Sequence, residues 1–285
     1  MKKIIKLSCL LLICSTLSGC FKRDNLEGVE IYTTIYPVEY ITERLYGENS
    51  KIYSIYPNEI DVNTYELTDK QIENYSEKPI FIYTGVTKEK EIARKFLNKN
   101  DKIQIIDASY GLKYVYEPEE LWLSPNNYLM LATNIKNNLQ DEITNKFIKE
   151  EIEENFRLLE EELSLIDAEL RRVGNEAIKS EKNTLIVNNN LFNFLENYGF
   201  NIIDISKENI SLTESLDKVT NPHLIIRDDL TVDEETKKII EKEKLNVITV
   251  DIMSVLDEQQ RKDNETYLTI INLFIEDINS LITTK

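Results

Sequence analysis

Eight apolar residues, Ile152, Phe156, Leu159, Leu163, Ile166, Leu170, Val173 and Ala177, follow one another at alternating steps of four and three. That spacing lines one side of an α-helix, and Ile143 and Phe147 extend it upstream. The stripe predicts an unbroken helix of about 35 residues, about 50 Å long at the α-helical rise. A regular heptad also suits a two-chain coiled coil. Its place in the chain favours another use, because it separates two halves that each alternate strand and helix signals. We read it as an intramolecular strut whose apolar stripe packs across both halves.

Before the stripe, β-branched and aromatic runs at 29–36, 52–56, 80–83 and 103–106 alternate with helical stretches at 38–46, 69–75 and 88–97. Ser124-Pro125 is a cap and first-turn pair, and Tyr128, Leu131, Ile135 and Leu139 then share one helical face. After the stripe, strand signals at 184–187, 202–205, 224–226 and 247–250 flank helical ones at 191–198 and 233–243. A last amphipathic helix carries Tyr267, Ile270, Ile271, Phe274 and Ile278. The alternation predicts an α/β fold: two lobes, each a parallel-type sheet flanked by helices, joined by one long rigid helix. The expected limits are 29–140 for the first lobe, 141–178 for the linking helix and 179–285 for the second lobe.

Several functions are excluded by what the chain lacks. His223 is its only histidine, so no helix with paired histidine ligands and no multi-histidine metal site can be built. The seven glycines never fall at the spacing of a dinucleotide fingerprint or a phosphate-binding loop. With 51 acidic against 34 basic residues the net charge is −17, which opposes nucleic-acid binding. A hydrolase with a nucleophile, base and orienting group would have only His223 to draw on, and we expect no enzyme.

The amino terminus predicts a destination. Lys2, Lys3 and Lys6 precede a mostly apolar run from 7 to 17, too short to span a bilayer comfortably and ending in small residues. Leu17-Ser18-Gly19-Cys20 closes it and resembles a bacterial lipobox. We expect residues 1–19 to be a signal peptide, Cys20 to be lipidated at the new amino terminus, and 20–28 to be a polar tether. Cys9 and Cys14 would leave with the signal, so no disulfide framework remains. A diacyl anchor would hold the protein on the extracytoplasmic face of the cell membrane.

Two blocks stand out: Asp61-Val62-Asn63-Thr64-Tyr65-Glu66-Leu67-Thr68 and Glu120-Leu121-Trp122-Leu123-Ser124-Pro125. They resemble the D-P-H-T-Y-E-P-T and H-V-W-L-S-P segments of the TroA-like family of zinc- and manganese-binding lipoproteins of bacterial ABC importers. Thr33-Thr34-Ile35-Tyr36-Pro37, Tyr83-Thr84-Gly85, Ile106-Asp107-Ala108-Ser109, Asn188 before Tyr198-Gly199, and Val250-Asp251 follow the family order. The resemblance implies a solute-binding lipoprotein that captures a divalent cation between its lobes and delivers it to a membrane permease. It places the four metal ligands at Asn63, Glu120, Asn188 and Asp251. An all-oxygen set without imidazole suits manganese, calcium or magnesium better than zinc.

Each of these residues also has a plainer reading. Asn63 suits an Asx turn, Glu120 lies among the acids Glu117 and Glu119, Asn188-Asn189-Asn190 suits a turn and helix cap, and Asp251 ends a strand. Asp228 and Asp229 are alternative carboxylate donors, and His223 reads as structural. A protein that keeps the fold and has lost metal capture, serving as a membrane-anchored interaction protein, is the competing expectation.

Overall fold

Runs such as Ile80-Phe81-Ile82-Tyr83, apolar at every position and buried on both faces, are what a parallel sheet covered by helices demands. The structure, a computed structural model, describes residues 28, 30–86, 88–207, 210–219 and 222–283. The signal segment and Cys20 lie outside the described residues. Strands β1 (Glu30–Thr33), β2 (Lys51–Ser54), β3 (Ile80–Tyr83) and β4 (Gln104–Asp107) form a parallel sheet ordered β2-β1-β3-β4. Strands β5 (Thr184–Val187), β6 (Asn201–Asp204), β7 (His223–Arg227) and β8 (Asn246–Val250) form a second parallel sheet ordered β6-β5-β7-β8. The winding reverses between β1 and β3 and again between β5 and β7. In open parallel sheets ligands bind beyond the carboxyl ends of strands at such reversals.

Helices α1 (Tyr36–Tyr46), α2 (Asp69–Ser76), α3 (Glu89–Lys99), α4 (Glu120–Leu123) and α5 (Pro125–Glu142) belong to the first lobe. Helix α6 (Lys146–Lys179) is 34 residues long and buries all eight residues of the stripe. It packs on α1 and α5 in lobe one, and on the 3₁₀-helix Asn190–Tyr198 and α10 (Tyr267–Thr283) in lobe two. The stripe is thus filled within the chain, as a strut between lobes. Its upstream extension is not part of it. Asn145 caps α6 by accepting the Phe147 N–H at 3.0 Å, which leaves Ile143 at the end of α5 and turns Phe147 outward.

The helix expected at 191–198 is of the 3₁₀ type. Its apolar residues step by three, Leu191 to Phe194 and Phe192 to Leu195 to Tyr198, and three residues per turn puts both rows on the buried side. Where this segment ends, its backbone runs against α6. A Cβ added at Gly174 would lie 1.8 Å from the Tyr198 carbonyl oxygen, so only glycine admits the approach. One continuous apolar core runs through both lobes and α6. A separate cluster around Ile186, Leu212 and Leu224 lies beneath α7 (Leu212–Leu216) and α8 (Glu234–Glu243), and α8 itself buries no residue. Helix α9 (Glu258–Lys262) connects β8 toward α10.

Candidate functional site

The carboxyl ends of the strands meet in a cleft between the lobes, where a cavity of about 530 Å³ opens. From lobe one it is lined by the loop after β2, including Glu59, Asp61 and Asn63; from lobe two by Asp228 and Asp229 beyond β7 and Asp251 beyond β8. The first loop is shaped by an Asx turn: Asp61 accepts the Asn63 N–H at 2.8 Å and the Thr64 hydroxyl at 3.0 Å. These bonds hold the Asp61 carboxyl below its usual range. Lys88 ties the loop down from α3's leading edge, donating to the carbonyls of Asn63 at 2.9 Å and Tyr65 at 2.6 Å. The Asn63 backbone is thereby engaged on both sides, and the residue lines the cavity.

Asp251 is held from two sides. Its Oδ1 accepts the Met253 N–H at 2.7 Å and its Oδ2 accepts the Gln260 amide at 2.6 Å. Asp228 stands beside it, accepting the Ile252 N–H at 3.2 Å. Its side chain is exposed to the cleft and partly desolvated by the surrounding protein. That desolvation, with repulsion from Asp251 added, pushes its carboxyl up to about 6. The pair is the electronegative focus of lobe two.

Glu120 and Asn188 do not line this cavity. Glu120 is 7% exposed, and its Oε2 accepts the N–H groups of Val115 at 3.0 Å and Tyr116 at 3.2 Å while Oε1 accepts the Asn127 amide at 3.3 Å. It fixes the loop that leads into α4. Asn188 sits at the lobe-two winding reversal, donating its N–H to Ile225 O at 3.1 Å and accepting the Arg227 N–H on Oδ1 at 3.2 Å. It staples β5 to β7. Of the four expected ligands, Asn63 and Asp251 share the cavity, joined by the alternative donors Asp228 and Asp229. Among the described residues, no three acidic, histidine or cysteine side chains stand together closely enough to hold a metal ion. His223 lies at the opposite end of β7 from Asp228, 6% exposed, and brings no imidazole to the cleft.

Two features at the cleft went unread in the sequence. Glu59 projects from the lobe-one loop and accepts the Glu258 N–H of α9 at 3.3 Å, across the cleft. Arg227, the last residue of β7, pairs with Glu119 of lobe one and Asp229 of lobe two. Its signal was local: a cation directly before two aspartates at a strand end. Other links cross the seam. The Trp122 indole donates to Ile252 O at 2.7 Å, the Tyr36 N–H to Ser254 O at 3.0 Å, and Arg261 grips Glu39 through two bonds of 2.9 and 2.7 Å.

Known proteins share this architecture. The chain is 23% identical to the manganese ABC transporter substrate-binding lipoprotein PsaA of Streptococcus pneumoniae over 294 aligned positions, covering 94% of this chain and 93% of that one. A putative metal-binding protein of Chlamydia trachomatis is 23% identical over 176 positions, 60% of this chain and 62% of that one. Among solved structures, the metal-dependent lipoprotein YcdH of Bacillus subtilis superposes with a TM-score of 0.74 at 18% identity, over 88% of this chain and 98% of that one. The periplasmic zinc-binding protein TroA of Treponema pallidum superposes at 0.70 and 13% identity, over 90% and 100%. The profile of one family, ZnuA, zinc-uptake complex component A periplasmic, matches residues 31–280, and the chain belongs to that family.

Proposed function

We propose that this protein captures a divalent cation in the cleft between its lobes and hands it to the permease of an ABC importer. The observation that carries the reading is the pair Asp228 and Asp251, two carboxylates on neighbouring strand ends that face the Asn63 loop across one cavity. A cation between them relieves the repulsion from Asp251 that adds to desolvation in raising Asp228. Asn63 adds a neutral oxygen from lobe one. Glu120 and Asn188 support the site from outside the cavity: Glu120 Oε2 and Asn188 Oδ1 accept backbone N–H groups, and Glu120 Oε1 accepts the Asn127 amide. Oxygen donors without imidazole or thiolate favour manganese, calcium or magnesium over zinc. Cys20, diacylated, anchors the molecule on the outer face of the cell membrane.

Calorimetric titration of manganese, calcium and zinc into the mature protein tests the capture. Manganese or calcium is expected to bind, and the Asp228→Asn, Asp251→Asn double variant to weaken that binding by about tenfold or more. Zinc capture tighter than manganese, indifferent to both aspartates, would sink the reading. That no three ligand-type side chains cluster among the described residues favours a second one: no cation binds at all, and the fold serves as a membrane-anchored interaction protein. Fatty-acid labelling that disappears in Cys20→Ala checks the anchor.

A further inference from the structure

Arg227 is a cation that the chain itself places between the lobes. It is 6% exposed. Nε and Nη2 donate to the two carboxylate oxygens of Asp229, each at 2.9 Å, and Nη2 also donates to Glu119 Oε1 at 2.7 Å. The planar guanidinium thus grips one carboxylate bidentately within lobe two and reaches a second in lobe one. Its backbone is fixed as well, since the Arg227 N–H donates to Asn188 Oδ1. The acids around it are crowded. Glu119 Oε2 is buried without a hydrogen-bond partner among the described residues, and burial, with repulsion from Glu119 added, raises the neighbouring Glu117 carboxyl. Removing one member of a buried charge pair leaves the other uncompensated, at a cost far above that of a surface pair.

We propose that Arg227 is the resident cation of the cleft: it latches lobe one to lobe two with no bound ion, and it withholds Glu119 and Asp229 from the cargo. The lobes then stay together in chelator. Of the lobe-two carboxylates in the cavity, Asp228 and Asp251 are then the two not bound to a cation, so Arg227 sets how weakly or tightly the cleft binds. Replacing it with an apolar side chain of similar length leaves Glu119, Asp229, Asp228 and Asp251 with no arginine among them. Such a cleft opens when empty and closes on a divalent ion. The binding half of this inference rests on the capture reading above; the latch half does not.

The chain carries its own reporter. Trp122 is its only tryptophan, buried at the seam with its indole N–H on the Ile252 carbonyl of the other lobe. Tryptophan emission of the wild type and of Arg227→Met is recorded in chelator and then in calcium, with calorimetric calcium titration of both. Wild-type emission is expected to be blue-shifted in chelator and unmoved by calcium. Arg227→Met is expected to be red-shifted in chelator, to return with calcium, and to bind calcium about tenfold tighter or more. Glu119→Ala cuts the same link from lobe one and is expected to give the same red shift, so the latch stays testable if Arg227→Met does not fold. Wild-type emission that blue-shifts only when calcium is added would overturn the latch, as would a folded Arg227→Met with wild-type emission and affinity. If neither chain binds calcium while the variant is still red-shifted, the latch is supported and the capture reading fails.

Discussion

His223 is shut inside lobe two with neither ring nitrogen hydrogen-bonded among the described residues. Burial, with a smaller contribution from Lys182, holds its pKa below the ordinary value. Above about pH 6.5 the ring is neutral in both the folded and unfolded chains and contributes no pH dependence. As pH falls below that value the unfolded chain takes up a proton that the folded one refuses, so stability drops by at most about 1.4 kcal/mol per pH unit until the folded pKa is reached. We expect His223→Leu to leave the melting temperature at pH 7.5 nearly unchanged and to reduce its loss between pH 6.5 and 5; an identical loss in the variant would refute the assignment. At this scale the sequence was a partial guide. It located Asn63 and Asp251 on loops that meet in the cleft. It did not show that Glu120 turns back onto Val115 and Tyr116, because those amides come from a loop with no period to read. Nor did it mark Arg227, whose partner Glu119 is 108 residues away.

Elements with a long or pure pattern were legible, and short ones were not. The strands fall within a residue or two of their apolar runs, apart from β1, which stops at Thr33 because Tyr36 already begins α1. Helix α6 declared itself through eight regularly spaced residues. Helices α4, α7 and α9, of four or five residues, are too short to show a period, and tertiary contacts decide them. Gly174 lies inside α6 at a place where propensity favours alanine, so its meaning appears only when the Tyr198 carbonyl is brought against it. Gly174→Ala should therefore destabilise the protein by about 1–3 kcal/mol, the usual range for overpacking, rather than gain the small benefit alanine gives an exposed helix. Denaturant unfolding measures it, and a variant as stable as wild type would show that the two segments move apart freely.

On the scale of the whole molecule, the two sheets share one strand order and present their carboxyl ends to each other, which is why the cleft lies between lobes rather than within one. Helix α6 adds a thermodynamic consequence. Its stripe completes the cores of both lobes at once, and the apolar cluster is unbroken from Ile31 to Ile282. Neither lobe can lose its packing without stripping a face of α6 that the other also needs. Calorimetry should then show one melting transition with van't Hoff and calorimetric enthalpies in agreement, and two resolved transitions would contradict this. Two lobes in shape are one unit in cooperativity, so a destabilising substitution far from the cleft, in either half, lowers the fraction of molecules whose cleft is intact by the same factor.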